Sequence, residues 1–342
     1  MASTTRGSAR SSGKASTAPV MRGGIDLGGT KVEAIVVNGR NKVLGAARHP
    51  TPTEGQPSDV ADTIVAALTE ACAAAGVAPG SLRGAGVGSP GIVDGETGAV
   101  SSARNLPGWD GTFPLGETLS KALGVPVAVG NDVRVATEAE FHLGAGRPYR
   151  TVLGVFWGTG VGGGLILQGK VWLGRGSAGE IGHTVIKLGG RRCGCGRRGC
   201  VEAYAGRAAM ERQARKRLER GEKTALFKLM EERGRTRLTS AVWAHALEGG
   251  DKVAKDLIDG AVEALGAGIA SAVNLLDVEA VIIGGGLGVR FGDPFAERIA
   301  AAMHPHLFHD ERPPHVHVAA LGDLGGAIGA ALLVRRLPAA RA

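Results

Sequence analysis

Asp26 closes an apolar run and is followed at once by Gly28, Gly29, Thr30 and Lys31. The backbone amides of a glycine turn can point at an anion, and a carboxylate beside them suits Mg²⁺ carried by phosphates. The Thr30 hydroxyl can donate to the same phosphates. The plainer alternative is an ordinary glycine hairpin with a turn-forming Asp. A second glycine segment opens with Gly158, Thr159 and Gly160 and runs on to Gly164. It contains G-x-G-x-x-G, yet the residues after it alternate as a strand, whereas the dinucleotide fingerprint must open a helix. A second phosphate-facing hairpin is the better reading. Gly284, Gly285 and Gly286 end a third apolar run. Backbone there can approach a flat ligand such as adenine, or simply turn from strand to helix. No G-x-x-x-x-G-K-[ST] motif occurs.

His183, Cys193, Cys195 and Cys200 suggest different chemistry. Three cysteines within eight residues, separated by glycines and flanked by arginines, suit a closed tetrahedral zinc site with His183 as fourth ligand. Four protein ligands make such a site structural; three plus solvent would make it catalytic. In a reducing compartment this clustering argues for metal over a disulfide. Cys72 lies in an apolar helical pattern and reads as core.

Asn105, Asn131, Asp132, Glu180, His183 and Glu202 follow apolar runs. Amides and carboxylates there supply the donors and acceptors that each hydroxyl of a polyol wants, although any one alone is also an ordinary turn residue. His304, His306, His309, His315 and His317 look like a metal tract. His315 and His317 alternate with valines on an exposed strand face, however, and prolines break up the rest, so the tract reads as solvated surface.

Positioning these groups takes an α/β chain. Strands are expected from residue 23, with Asn38-Gly39 as a two-residue hairpin turn, and at 82–87. A strand stopping at Asn131-Asp132 comes next, then 151–173, 278–287 and 315–321. Helices are expected over 58–76, 115–123, 133–143, 202–233, 239–276 and 325–337. Strand, glycine turn, strand opens both halves, a weak internal repeat. Two lobes with a cleft between the glycine turns result: residues 21–133 with 325–337 as a small lobe, and 134–324 as a large lobe with the zinc site. Residues 1–20 read as a disordered basic tail.

The 342 residues leave room for two domains, and 44% hydrophobic residues allow a sizeable core. Fifty-seven glycines without a Gly-X-Y period exclude collagen. A net charge of +8 is mild, and aromatics at 4% are too few for a stacking-based single-strand binder. The basic run over residues 207–223 interleaves Glu211, Glu219 and Glu222, which reads as a solvated helix face. No nucleic-acid partner is expected. The longest uncharged run, 151–169, holds seven glycines and makes a poor membrane helix. The amino-terminal segment has no apolar core of a secretory signal, so no membrane partner and a cytoplasmic location are expected.

The segments DLGGTK, RNLPGW, Asn131-Asp132, GTGVGGG, GEIGH and CGCGRRGCVE, in this order, resemble the ROK family of sugar kinases and sugar-responsive regulators. The resemblance runs from about residue 22 to residue 337. It implies an actin-like ATPase, hexokinase-type fold of two lobes, and transfer of the ATP γ-phosphate to a hexose hydroxyl. Asp132 then matches the general base, and Asn105, Glu180, His183 and Glu202 the sugar ligands, with Asn131 beside the base. Asp26 to Lys31 and Gly158 to Gly160 match the ATP-phosphate loops, and Gly284 to Gly286 the adenosine side. His183 and the three cysteines match the structural zinc site. Phe156-Trp157 before the GTG turn is a departure that touches nucleotide-side packing.

A glucokinase using ATP, Mg²⁺ and Zn²⁺ is the leading expectation, because RNLPGW followed by an intact site resembles the glucose-phosphorylating members. Fructose, mannose, N-acetylglucosamine or N-acetylmannosamine as acceptor, and polyphosphate as donor, remain alternatives. A sugar-sensing regulator is disfavoured, since about twenty residues precede the first strand where a winged helix would be needed. The family implies a homodimer or homotetramer.

Overall fold

The computed structural model describes residues 20–337; the expected tail lies, up to residue 19, outside them. β1 (Arg22–Leu27), β2 (Lys31–Val37) and β3 (Val43–Pro50) form an antiparallel meander on which α1 (Pro57–Ala74) packs. β2 is apolar on both faces: Val32, Ala34 and Val36 join the α1 side, while Ile35 and Val37 join the other. A strand of that kind needs cover on both sides of its sheet. β4 (Ala85–Ser89) adds parallel to β1. Three short strands, β5 (Ile92–Val93), β6 (Val100–Ser101) and β7 (Thr112–Phe113), make a sheet of their own. α2 (Leu115–Leu123) leads into β8 (Val127–Asn131), completing the order β3-β2-β1-β4-β8. α3 (Asp132–Leu143) continues without a loop, because the Asn131 side chain caps it by accepting the Arg134 N–H at 3.2 Å.

The second half repeats the plan. β9 (Val152–Trp157) and β10 (Val161–Leu167) pair antiparallel, and β11 (Lys170–Val171) extends the hairpin. Then come α4 (Glu202–Ala205), α5 (Arg207–Glu219), α6 (Leu226–Glu232), α7 (Ser240–Glu248) and α8 (Lys252–Leu276). β12 (Ala280–Gly284), α9 (Gly285–Met303), β13 (His315–Val318) and α10 (Gly325–Leu333) close the chain. The sheet order, β11-β10-β9-β12-β13, matches the first sheet position for position. The repeat, weak in composition, is plain in topology.

Each sheet has its own core, and two helices tie them together. α10 covers the second face of the first sheet through Ala327 and Ala331, and meets α3 through Ala330, Leu333 and Val135. α3 reaches the second sheet as well. A Cβ on Gly164 would lie 2.5 Å from Thr137 Oγ1, and one on Gly162 2.8 Å from Val133 Cγ2. Those glycines of the second segment therefore serve helix-on-sheet packing rather than phosphate. Only residues 158–160 form the turn.

Several expectations need correction. The β2–β3 loop spans residues 38–42 instead of two residues: Asn41 takes the positive φ (61°), and the Asn38 side chain accepts the Arg40 and Lys42 N–H groups. The helix expected over 202–233 is three helices, and that over 239–276 is two, parted where Gly250 adopts φ 73°. The last helix ends at Leu333. α9 was not foreseen, because Gly292 (φ 65°) and Pro294 interrupt its apolar period. His317 is not simply solvated: its Nε2 lies 2.6 Å from the Tyr149 hydroxyl. No helix of the described residues is long and apolar enough to cross a membrane.

Candidate active site and metal centre

Parallel pairing brings the ends of β1, β4 and β8 to one edge of the first sheet, where Asp26 lies opposite Gly88 and Ser89 opposite Asn131. Asp132 thus emerges beside Asp26. A Cβ on Gly326, at the start of α10, would lie 2.7 Å from the Asp26 carboxyl carbon, so a glycine makes room for this carboxylate. Asp132 accepts the Val133 N–H at 2.9 Å. Burial pushes the Asp132 carboxyl up to about 7, with the charges of Asp26 and Glu180 adding to it. Burial raises Asp26 too, against the pull of Lys31. A carboxyl that titrates near neutrality is equipped to accept a proton.

The first glycine turn is closed by Gly28 N–H donating to Lys31 O at 2.9 Å, and Thr51 Oγ1 donates to Gly28 O at 2.7 Å. Thr30 is exposed at its tip. Lys31 points elsewhere: its Nζ pairs with the buried Glu33 at 2.9 Å, so its assignment to the phosphates is not matched by its side chain. Asn105 lies against this turn, its Nδ2 3.0 Å from where a Cβ of Gly29 would stand.

In the second turn Gly158 N–H donates to Gly160 O at 3.0 Å. The first amides of α5 clamp it from outside, Arg207 N–H on Gly158 O and Ala208 N–H on Thr159 O. β9 and β12 run parallel with Phe156 opposite Gly284, which brings Gly286 beside Gly158. Residues 284–286 are a strand-to-helix turn that joins the second turn in one surface. Gly285 needs to be glycine there, having φ 79° with its Cβ position 2.6 Å from Trp157 O.

The segment bearing Glu180 and His183 crosses β10, Gly179 and Gly182 abutting the backbone of Gly163 and Val161. Its short 3₁₀ turn, Ile181–His183, turns the imidazole towards the cysteines. The ligand atoms of His183, Cys193, Cys195 and Cys200 all lie within 4.8 Å of one another. His183 Nδ1 is 3.8 Å from Cys193 Sγ, and Cys195 Sγ is 3.8 Å from Cys200 Sγ. A tetrahedron of thiolates around zinc, with Zn–S about 2.3 Å, has edges of about 3.8 Å. The donor set and its spacing fit the ion. Burial pushes the Cys193 thiol up to about 12, a penalty that a bound dication offsets. Glu202 links this centre to the second turn, accepting the Val161 N–H at 3.0 Å while its other oxygen lies 3.6 Å from Cys193 Sγ.

Asp26, Asp132 and Glu180 thus lie within reach of one another's charge, Glu202 joins the second turn to the cysteine cluster, and the Lys31 side chain lies apart on Glu33. Trp157 belongs to the core: it is fully buried, donates from Nε1 to Ala205 O at 2.7 Å and packs on Phe291. Sequence reasoning missed three arginines. Arg134, one turn into α3, donates to Gly176 O at 2.6 Å and is close enough to feel the charges of Glu180 and Asp132. Arg104 donates to Gly194 O at 2.9 Å, tying the Asn105 segment to the cysteine loop. Arg207 donates to Thr159 Oγ1 at 2.8 Å. Adjacency to Asp132 and Asn105 was the available signal for the first two.

Known proteins are similar to this chain over more than nine-tenths of its length. A glucokinase from Halalkalibacterium halodurans is 31% identical over 319 residues, 92% of this chain and 94% of that one. An N-acetyl-D-glucosamine kinase from Pectobacterium atrosepticum is 32% identical over 321 residues, 91% of this chain and 97% of its own. The crystal structure of a ROK family glucokinase from Streptomyces griseus, in complex with glucose and AMPPNP, is 33% identical. It superposes with a TM-score of 0.79, covering 94% of this chain and 100% of that one. The architecture is the two-lobed actin-like ATPase, hexokinase-type fold. The model of the ROK family matches residues 22–337, the same span that carries both sheets and every segment of the site, and the chain belongs to that family.

Proposed function

We propose that the chain is a sugar kinase that moves the γ-phosphoryl group of ATP to the 6-hydroxyl of a hexose, glucose to glucose 6-phosphate. The observation that carries this reading is Asp132: a half-buried carboxylate beside Asp26 and Glu180, held near neutral pKa at the edge of the first sheet, where the strand before the first glycine turn also ends. Asp132 takes the hydroxyl proton as the sugar oxygen bonds to the γ-phosphorus, and the bond from that phosphorus to the bridging oxygen breaks to release ADP. Positioning and charge neutralisation do most of the remaining work.

Asn105, Asn131, Glu180, His183 and Glu202 are the proposed sugar ligands. Gly28, Gly29 and Thr30, with Gly158, Thr159 and Gly160, are the proposed cradle for the phosphates, and Gly284 to Gly286 receive the adenosine. Asp26 is placed to hold the Mg²⁺ that accompanies ATP, which would neutralise phosphate charge. Zinc on His183 and the three cysteines would fix the imidazole ring, leaving its other nitrogen to meet a sugar hydroxyl. The lobe division at residues 133 and 325, a cytoplasmic location, a homodimer or homotetramer, and no membrane or nucleic-acid partner belong to the same reading.

N-acetylhexosamine phosphorylation is the second reading, favoured by the N-acetyl-D-glucosamine kinase that matches this chain as well as the glucokinase does. A coupled ADP-release assay with Mg-ATP against a sugar panel, run beside Asp132→Asn, separates the two. Turnover on glucose that vanishes in the variant supports the first reading. Turnover confined to acetylated sugars moves the substrate and keeps the mechanism. No turnover on any sugar from folded, zinc-loaded protein refutes the kinase.

A further inference from the structure

Arg207 stands directly behind the second glycine turn, and its position is over-determined. Its backbone N–H donates to Gly158 O at 3.1 Å, and its guanidinium donates to Thr159 Oγ1 at 2.8 Å. That bond uses a single donor of the guanidinium fork and leaves the others open. Four residues along α5, Glu211 accepts the Leu238 N–H at 3.0 Å, which brings Arg237 within reach of Arg207. The charge of Arg237 is felt by Arg207 there.

Two arginines so placed would ordinarily be matched by acids. Glu211 is the nearby carboxylate, but its oxygens are taken by Arg215 at 2.8 Å and by the Leu238 amide. Among the described residues, neither Arg207 nor Arg237 has a carboxylate within ion-pair distance. Arg207 is half-buried, so its charge is held out of bulk water without a counter-ion of its own. Across the turn stand Gly286 and, beyond it, Ser240 at the start of α7, both neutral. A cationic fork anchored to a hydroxyl of a glycine turn, with a second cation alongside, suits a linear chain of phosphates.

We propose that Arg207, backed by Arg237, binds the phosphate chain of the donor nucleotide, with Thr159 fixing the guanidinium. This deepens the kinase reading and rests on it. Arg207 thereby becomes a donor-specificity residue: it recognises phosphates, and contributes nothing to adenosine or to the sugar.

The test is direct binding of ADP, AMP and sugar by calorimetry to wild type, Arg207→Ala, Arg207→Lys and Arg237→Ala, with melting curves as the folding control. Arg207→Ala is expected to weaken ADP about 10- to 100-fold, the loss of one or two charge-assisted hydrogen bonds. AMP and sugar affinities should stay within about twofold, because the outer phosphates are absent from both. Arg207→Lys should recover part of the loss, and the exposed Arg237→Ala should show a smaller loss of the same kind. In steady state the Arg207→Ala defect should appear in KM for ATP, with KM for the sugar unchanged. ADP bound at wild-type affinity by folded Arg207→Ala overturns the inference alone, and so does an equal loss for AMP. A wild-type chain that binds no nucleotide overturns the kinase reading and this inference together.

Discussion

The carboxylate of Glu202 accepts the backbone N–H of Val161 at 3.0 Å, so a residue just beyond the last cysteine holds the residue just beyond the second glycine turn. Cys193 Sγ approaches the other oxygen at 3.6 Å. The cysteine cluster and the second glycine turn are therefore linked through one side chain, although about forty residues of sequence part Gly160 from Cys200.

Metal removal should consequently be felt at both substrates. Metal analysis is expected to find one zinc per chain, and stripping it with a chelator should raise KM for ATP as well as for the sugar. Glu202→Ala, which removes the side chain that links Cys193 to the Val161 amide, should weaken zinc retention about 10- to 100-fold. A zinc-free enzyme with wild-type KM for ATP would break the proposed link.

The pH profile of kcat/KM should rise as Asp132 loses its proton, through about pH 7, and level off above it. Asp26, Glu180 and Arg134 surround the group, and burial, with the two carboxylates adding to it, holds its pKa up. Asp132→Asn should lower turnover by about 10²- to 10⁴-fold and abolish that limb of the profile. Glu180→Gln should shift the limb to lower pH, since it removes a charge that opposes ionisation.

The same residue should limit stability. Its carboxyl titrates at about 7 in the fold against 3.8 in a free chain, so between those values the folded protein holds a proton that the unfolded chain has released. Stability must then fall as pH rises across that window. Asp132→Asn should melt higher than wild type at pH 8, by on the order of a few degrees, and equally at pH 4. Melting curves of the two proteins at both pH values check this.

Trp157 offers a test of the core beneath the second turn. Fully buried, bonded to Ala205 O and packed on Phe291, it joins β9 to α4 and α9. Trp157→Ala should destabilise the fold by about 3–5 kcal/mol, read by urea denaturation, while Phe in its place loses mainly the hydrogen bond, about 1 kcal/mol.

Much of the site was legible from local signals. Cysteine spacing announces a metal whatever the fold, because ligand chemistry is written in residue types. Alternation announced the strands, and the join of β8 to α3 showed in Asn131-Asp132, where a capping side chain and the candidate base are neighbours. α9 escaped because Gly292 and Pro294 mask a helical period that tertiary contacts through Leu287, Phe291 and Ile299 still enforce. The role of Gly162 and Gly164 was hidden for a related reason: a glycine that admits a helix and one that admits a phosphate look the same in sequence.

The sequence alone thus carried most of the strands, several of the helices, the close spacing of the three cysteines and the family, all properties of neighbours along the chain. Only the tertiary structure decided which groups share an environment. It turned Lys31 to Glu33 and away from the first turn, aligned Asp26 with Asp132 by parallel pairing, and joined Glu202 to Val161 across two lengths of chain. The near-neutral carboxyl of Asp132 and the pairing of Arg207 with Arg237 behind Thr159 arise from burial and distance between residues far apart in sequence, which residue order does not encode locally.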